Sequence, residues 1–259
     1  MRNRRLAIAG VALVAAIGLS GCGRSQDRAE TSAPGGAPAA EAAKQADPAA
    51  ELAAAAAKLG EQSMKVRMEM AGGISMSGVA DPKAQKADMS MSTGTGTGGT
   101  DVKTLRIGND MWMKFSGSLG TLAGDGKWMH LNITELSSGS AYGLSGDPAA
   151  AEKMIKATAA VQRTGDHAFK GTLDLTKAQT VGKEAVKALG DKATAVPFTA
   201  KTDEAGRLVE MTVDMGGIAP VAGTMTSTYS DFGTPVTVQA PPASQVEELP
   251  SQLKGILNA

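Results

Sequence analysis

The most persistent signal along the chain is alternation. Val66, Met68 and Met70 alternate with Lys65, Arg67 and Glu69, and Ile74 and Met76 resume the pattern after Gly72-Gly73. Met89 and Met91, Leu105 and Ile107, Met111 and Met113, and Met129 and Leu131 repeat it, as do Val209, Met211, Val213 and Met215. Apolar residues at every second position mark strands with one buried face. Many short segments of this kind predict an antiparallel sheet. Turn-forming residues separate them at Asn109-Asp110, Gly124-Asp125-Gly126 and Asp203-Glu204-Ala205-Gly206.

A helical period appears in fewer places. Asp47-Pro48 supplies an N-cap and a favoured first helical residue, and predicts a helix over Ala49 to Leu59 with Leu52, Ala55, Ala56 and Leu59 on one face. Asp147-Pro148 repeats the device before Ala149 to Val161, where Met154, Ile155, Thr158 and Val161 form a stripe. Further helices are expected over Val181 to Leu189 and Ser244 to Leu257, the last interrupted at Pro250. Strands first, with helices interposed and at the ends, predict an α+β fold with helices on one face of a large sheet. Residues 47–259 are long enough for one domain with a sizeable core.

The N-terminus reads differently. Arg2, Arg4 and Arg5 precede an apolar stretch from Leu6 to Leu19, short for a spanning helix and right for a secretory leader. It ends in Leu19-Ser20-Gly21-Cys22, which looks like a bacterial lipobox and holds the only cysteine. The expected leader is 1–21, with Cys22 receiving a diacylglyceryl group that anchors the chain to the extracytoplasmic face of the cell membrane. The alternative is an uncleaved signal anchor or an unmodified buried Cys, and a buried free Cys has no reason to sit at this boundary. Two acyl chains supply the paired signal that stable anchoring requires. Arg4-Arg5 leaves both the general and the twin-arginine export routes open. Gly23 to Ala46 carries no bulky aliphatic residue, so residues 22–46 are expected to be a disordered tether spanning about 27 Å.

Charge and composition narrow the function. The 26 basic and 26 acidic side chains balance, which argues against a nucleic-acid partner. Loss of the leader leaves 23 basic against 26 acidic, a net charge of −3. One Cys and two His make a metal site unlooked-for. Gly94, Gly96 and Gly99 match a dinucleotide fingerprint only formally, because a strand and not a helix follows. Gly126-Lys127 and Gly182-Lys183 lack the following Ser or Thr of a phosphate loop. Ser251 and Lys254 match the S-x-x-K spacing without its partner motifs. His130 falls on the strand face opposite Met129 and Leu131, and His167 in a polar turn. Trp112 and Trp128 alternate against Met113 and Met129, on the outer face or near a rim, suited to a membrane surface, a glycan or plain packing. No nucleophile, base and oxyanion site assemble, so no catalytic residue, enzyme activity or cofactor is expected.

Met is frequent, at 14 residues, while aromatic residues make up only 3%. Met-rich surfaces adapt to irregular apolar partners. The alternation singles out Met68, Met70, Met76, Met89, Met91, Ile107, Met113, Met211, Val213 and Met215 as lining residues of a cavity for acyl chains, or as ordinary core.

Several longer segments carry a resemblance. These are Gln62 to Met70 after a short helix, Met111-Trp112-Met113-Lys114, and Gly126 to Leu131. Asp203 to Val209 and Tyr229 to Val236, running into Ala240-Pro241-Pro242, complete the set. Behind the Leu19 to Cys22 motif they resemble the actinobacterial lipoproteins of the LppX/LprG type, whose fold is similar to the lipoprotein carrier LolA. The resemblance spans roughly residues 50–245. It implies a large curved antiparallel sheet, an open half-barrel, with helices on its concave face. It also implies a lipid or glycolipid ligand between sheet and helices, and movement of that ligand within the cell envelope beside a membrane transporter. The competing expectation is a tethered interaction module on the same fold, with a dry core, that supports a membrane protein partner.

Overall fold

In the computed structural model the first element forms where Asp47-Pro48 places it. Helix α1 (Pro48–Ala57) starts with the Asp47 carboxylate accepting the Ala49 N–H at 3.1 Å, and Pro48 occupies a position that needs no N–H. Leu52, Ala55 and Ala56, with Leu59 in the closing 3-10 turn Lys58–Gly60, are at most 1% exposed. The structure describes residues 47–94, 99–117, 119–120, 126–135, 154–177, 190–217, 223–251 and 254. All of them fall in the unit of residues 44–259. The expected leader, Cys22, the tether and the helix expected at 181–189 lie outside the described residues.

Twelve strands form one sheet. Six of them run as successive hairpins: β1 (Met64–Met70), β2 (Ile74–Asp81), β3 (Lys86–Thr93), β4 (Thr100–Ile107), β5 (Asp110–Gly117) and β6 (Trp128–Asn132). Five more do the same: β7 (Thr158–Gly165), β8 (Ala168–Leu173), β9 (Val196–Thr202), β10 (Leu208–Asp214) and β11 (Thr224–Ser230). β12 (Val246–Glu248) is the last. The spatial order is β12-β6-β5-β4-β3-β2-β1-β11-β10-β9-β8-β7. Every pairing is antiparallel except β12 on β6. The fold is α+β: a large curved, open, mostly antiparallel sheet, with α1 packed on its concave face.

Turn chemistry follows the sequence. Gly72 and Gly73 take φ of 87° and 80° between β1 and β2, a region open to glycine. Thr93 pairs with Thr100, so the Gly-rich segment joins a hairpin. Asp203 to Gly206 makes the β9–β10 turn, where Gly206 has φ of 66°.

Two helix expectations are overturned in part. The helix ending near residue 161 stops at Lys156 among the described residues, and Thr158 and Val161 belong to β7. A stripe only four residues long does not distinguish a helix end from a strand start. The first part of the helix expected from Ser244 is instead a 3-10 turn followed by β12, because Val246 to Glu248 find open backbone groups along β6. Beyond Pro250 the described residues Ser251 and Lys254 are helical, and the Lys254 N–H donates to the Pro250 carbonyl at 3.0 Å.

Both sheet edges are guarded. β12 is three residues long, and β7 carries two register shifts with Ala160 at φ of 51°. Short or bulged edges resist pairing with another chain.

Candidate functional site

Pairing registers place the methionines on one continuous face. Ala200, Met211, Ser227, Met68, Met76, Met91, Val102 and Phe115 are consecutive cross-strand partners from β9 to β5. A second row runs Tyr229, Val66, Gly78, Met89, Thr104, Met113 and Met129. A third runs Phe198, Val213, Met225, Met70 and Ile74. Side chains in such rows lie close enough to pack, at strand spacings of about 4.8 Å.

Three apolar clusters divide this face. Under α1, the residues Leu52, Ala55, Ala56 and Leu59 meet Met64, Phe169, Leu173, Phe198, Leu208, Met211 and Val213. Over β1 to β3, Met76, Ala80, Ala87 and Met89 meet the half-buried Val66, Met68 and Met91. Over β4 to β6, Val102, Met111, Met113, Phe115, Met129 and Leu131 meet Leu249, which follows β12. The lining residues expected from alternation are therefore all on this face except Ile107. They are split: Met211, Val213 and Met215 with the helix, Met68, Met76, Met89 and Met91 in the middle, and Met113 beyond.

Ile107 lies on the opposite face. Its strand pairs Met91 with Val102 and Val102 with Phe115, which sends Val102, Thr104 and Arg106 inward and Leu105 and Ile107 outward. Leu105 is nonetheless buried, opposite Trp112. Two polar residues, Thr104 and Arg106, facing inward concealed the parity of this strand. Alternation in Val196, Phe198, Ala200 and Thr202 was there to be read, and those four inward residues are all buried.

The face is covered unevenly. Met211 and Val213 are nearly inaccessible, while Met70, Met215 and Met225 are half-buried and Ile74 is exposed. These four converge at the Gly72-Gly73 end of the sheet, where Met70 pairs with both Ile74 and Met225. An apolar rim therefore meets solvent at that end. Of the polar groups on this face, Ser227 is buried, and burial pushes the Tyr229 phenol up to about 12 despite a hydrogen bond with Ser227. Charge enters with the half-buried Arg106 of β4 and at the margin, where Arg163 of β7 pairs with Glu51 of α1 and stands 5.4 Å from the Phe169 ring.

Residues outside this face have structural work. His130 is on the outer face with Trp112 and Trp128, its ring centroid 5.5 Å from that of Trp112. Its Nδ1 lies 3.0 Å from Glu248 and its Nε2 2.9 Å from Asp110, so it clips β12 to β6 and β5. Partial burial disfavours the charged ring, but the hydrogen bonds and negative charges of Glu248 and Asp110 outweigh it and raise the pKa. His167 is exposed in the β7–β8 turn. Asp203 accepts the Arg207 N–H at 2.9 Å and its guanidinium at 2.7 Å, and that guanidinium sits 4.3 Å from the Phe232 ring centroid. Lys254, of the S-x-x-K spacing, pairs with Glu135 at 2.7 Å.

Among the described residues, no group of three or more His, Cys, Asp or Glu is placed to hold a metal ion, and no helix is long and apolar enough to cross a membrane. No protein-family model and no curated protein sequence matches the chain.

Proposed function

We propose that the chain is a membrane-anchored, extracytoplasmic lipoprotein of the LppX/LprG type that binds acyl chains of a lipid or glycolipid on the concave face. In this reading Cys22 carries the diacylglyceryl anchor, and the domain moves its ligand within the cell envelope, beside a membrane transporter. It needs no catalytic residue and no cofactor. The observation that carries the reading is the row from Met211 to Phe115, continuous across strands and bordered by a solvent-facing apolar rim at Met70, Ile74 and Met225. Unbranched thioether side chains adapt to a flexible chain. Withdrawing a 16-carbon chain from water gains on the order of 13 kcal/mol gross, so few directional contacts are needed.

Close packing favours the second reading, a tethered interaction module for a membrane protein. Met76, Met89, Met113, Met211 and Val213 are each at most 8% exposed. Native mass spectrometry with solvent extraction, on residues 44–259 purified without detergent from a lipid-containing host, separates the two. Reproducible mass additions matching phospholipid, diacylglycerol or glycolipid are expected. A bare mass that persists after incubation with total lipid extract overturns the carrier reading and leaves the module.

A further inference from the structure

The face of the sheet turned away from the methionines holds a second feature. On a convex surface side chains splay apart, and short ones leave a groove between taller neighbours. Here serines occupy adjoining positions on β2 and β3: Ser75 opposite Ser92, and Ser77 opposite Ser90. Lys103 and Lys114 form the wall on β4 and β5, directly opposite each other. Together with Asp101 these residues line an open groove of about 370 Å³. Its lining also includes Met91 and Val102, whose side chains point to the concave face, so main chain forms its floor.

The polar groups of this groove are under-used. Like charges directly across a strand pair repel. Lys103 is relieved in part by Asp88 at 3.6 Å, but Lys114 has no protein partner among the described residues. The hydroxyls of Ser75, Ser77 and Ser90 likewise have none there, whereas Ser92 donates to Asp101 at 2.6 Å. Two ammonium groups side by side suit one tetrahedral oxyanion. Serine hydroxyls both donate and accept, and the free acceptor capacity of Asp101 suits a hydroxyl and not an anion. A groove of this volume is in the range of small-molecule sites.

We infer that this groove binds a phosphorylated polyol, its phosphate between Lys103 and Lys114 and its hydroxyls along Ser75, Ser77, Ser90 and Asp101. A phosphoglycerol group has this chemistry, whether free in solution or as a lipid headgroup. The inference is independent of what the concave face holds.

The test is a titration of the full chain, held in phosphatidylcholine nanodiscs, with radiolabelled sn-glycerol 3-phosphate. Saturable binding is expected, weakened at least tenfold by Lys103→Gln with Lys114→Gln. Lys65→Gln, an exposed lysine elsewhere on the same face, is expected to leave it unchanged. The thermal midpoint of the double variant is expected to hold, because the change removes a repulsion together with one exposed ion pair, to Asp88, of little worth. Repeating the titration in nanodiscs containing phosphatidylglycerol separates the sources. A further tenfold weakening by competition identifies the headgroup as occupant, and unchanged affinity identifies the free ligand. Absence of saturable binding, or equal binding by a folded double variant, overturns the inference.

Discussion

Gly78 sits where no side chain fits. A Cβ there would lie 2.1 Å from the Asp88 carbonyl oxygen and 2.7 Å from the Met89 sulfur. The Met89 side chain covers the glycine, which is how the second row stays level across β2. Gly78→Ala is therefore expected to destabilise the fold by about 3 kcal/mol, the upper end of ordinary overpacking, because the clash is with main chain. Urea unfolding checks it. At His130 the sign of a pH effect follows from its two carboxylate partners. The folded pKa is raised, so the stability it contributes is full below the unfolded value of about 6.5 and is lost as pH rises through the folded value. Thermal melts from pH 5 to 9 are expected to show that loss, and His130→Gln to remove it. The amount is small, about 1 kcal/mol or less, since Glu248 and Asp110 are well exposed.

Among elements, the β9–β10 hairpin joins two stretches of sequence through one side chain. Arg207 is held by Asp203 and lies on Phe232, which follows β11. Burial alone raises the Asp203 pKa, but hydrogen bonds from the Arg207 side chain and main chain outweigh it and hold the carboxyl below its usual range. Its contribution is full above the unfolded value of about 3.9 and is lost as pH falls through the folded value. Asp203→Ala is expected to cost about 1–3 kcal/mol at neutral pH, read by urea unfolding, and less at pH 3.

Elements with a strong local pattern were legible. α1 and the Met-bearing strands follow from capping and alternation, because one face of each is buried. β12 was not, since its three residues are extended only by virtue of β6, far away in sequence. β7 was not, because its bulges and small residues blur the period of two. The candidate face was legible in β1 to β3, β5, β6 and β10, but not in β9 and β11, whose inward positions include Ala200, Thr202 and Ser227, nor in β4, where inward Thr104 and Arg106 reversed the apparent parity and put Ile107 on the wrong side. The outer groove left no mark, since isolated serines and lysines gain meaning only from register.

For the molecule as a whole, the carrier reading distinguishes two positions on one face. Met70→Trp, at the solvent-facing rim, is expected to leave the melting temperature within a few degrees and to abolish lipid adducts in native mass spectrometry. Met211→Trp, packed beneath α1 at 3% exposure, is expected to destabilise by about 1–3 kcal/mol. Equal loading of the Met70 variant and the parent counts against a ligand path through the rim.

The seam between β1 and β11 sets a timetable as well as a shape. β1 to β6 assemble through neighbouring strand pairs, and so do β7 to β11, but Met68 meets Ser227 only by closing a loop that contains most of the domain. Non-local closures of this kind are slow. Until it happens two strand edges stand open, each an invitation to a neighbouring chain. The methionine row is in two pieces over the same interval. Completing the sheet and completing the methionine row are thus one event, so a half-folded copy is sticky along its edges before its concave face is whole.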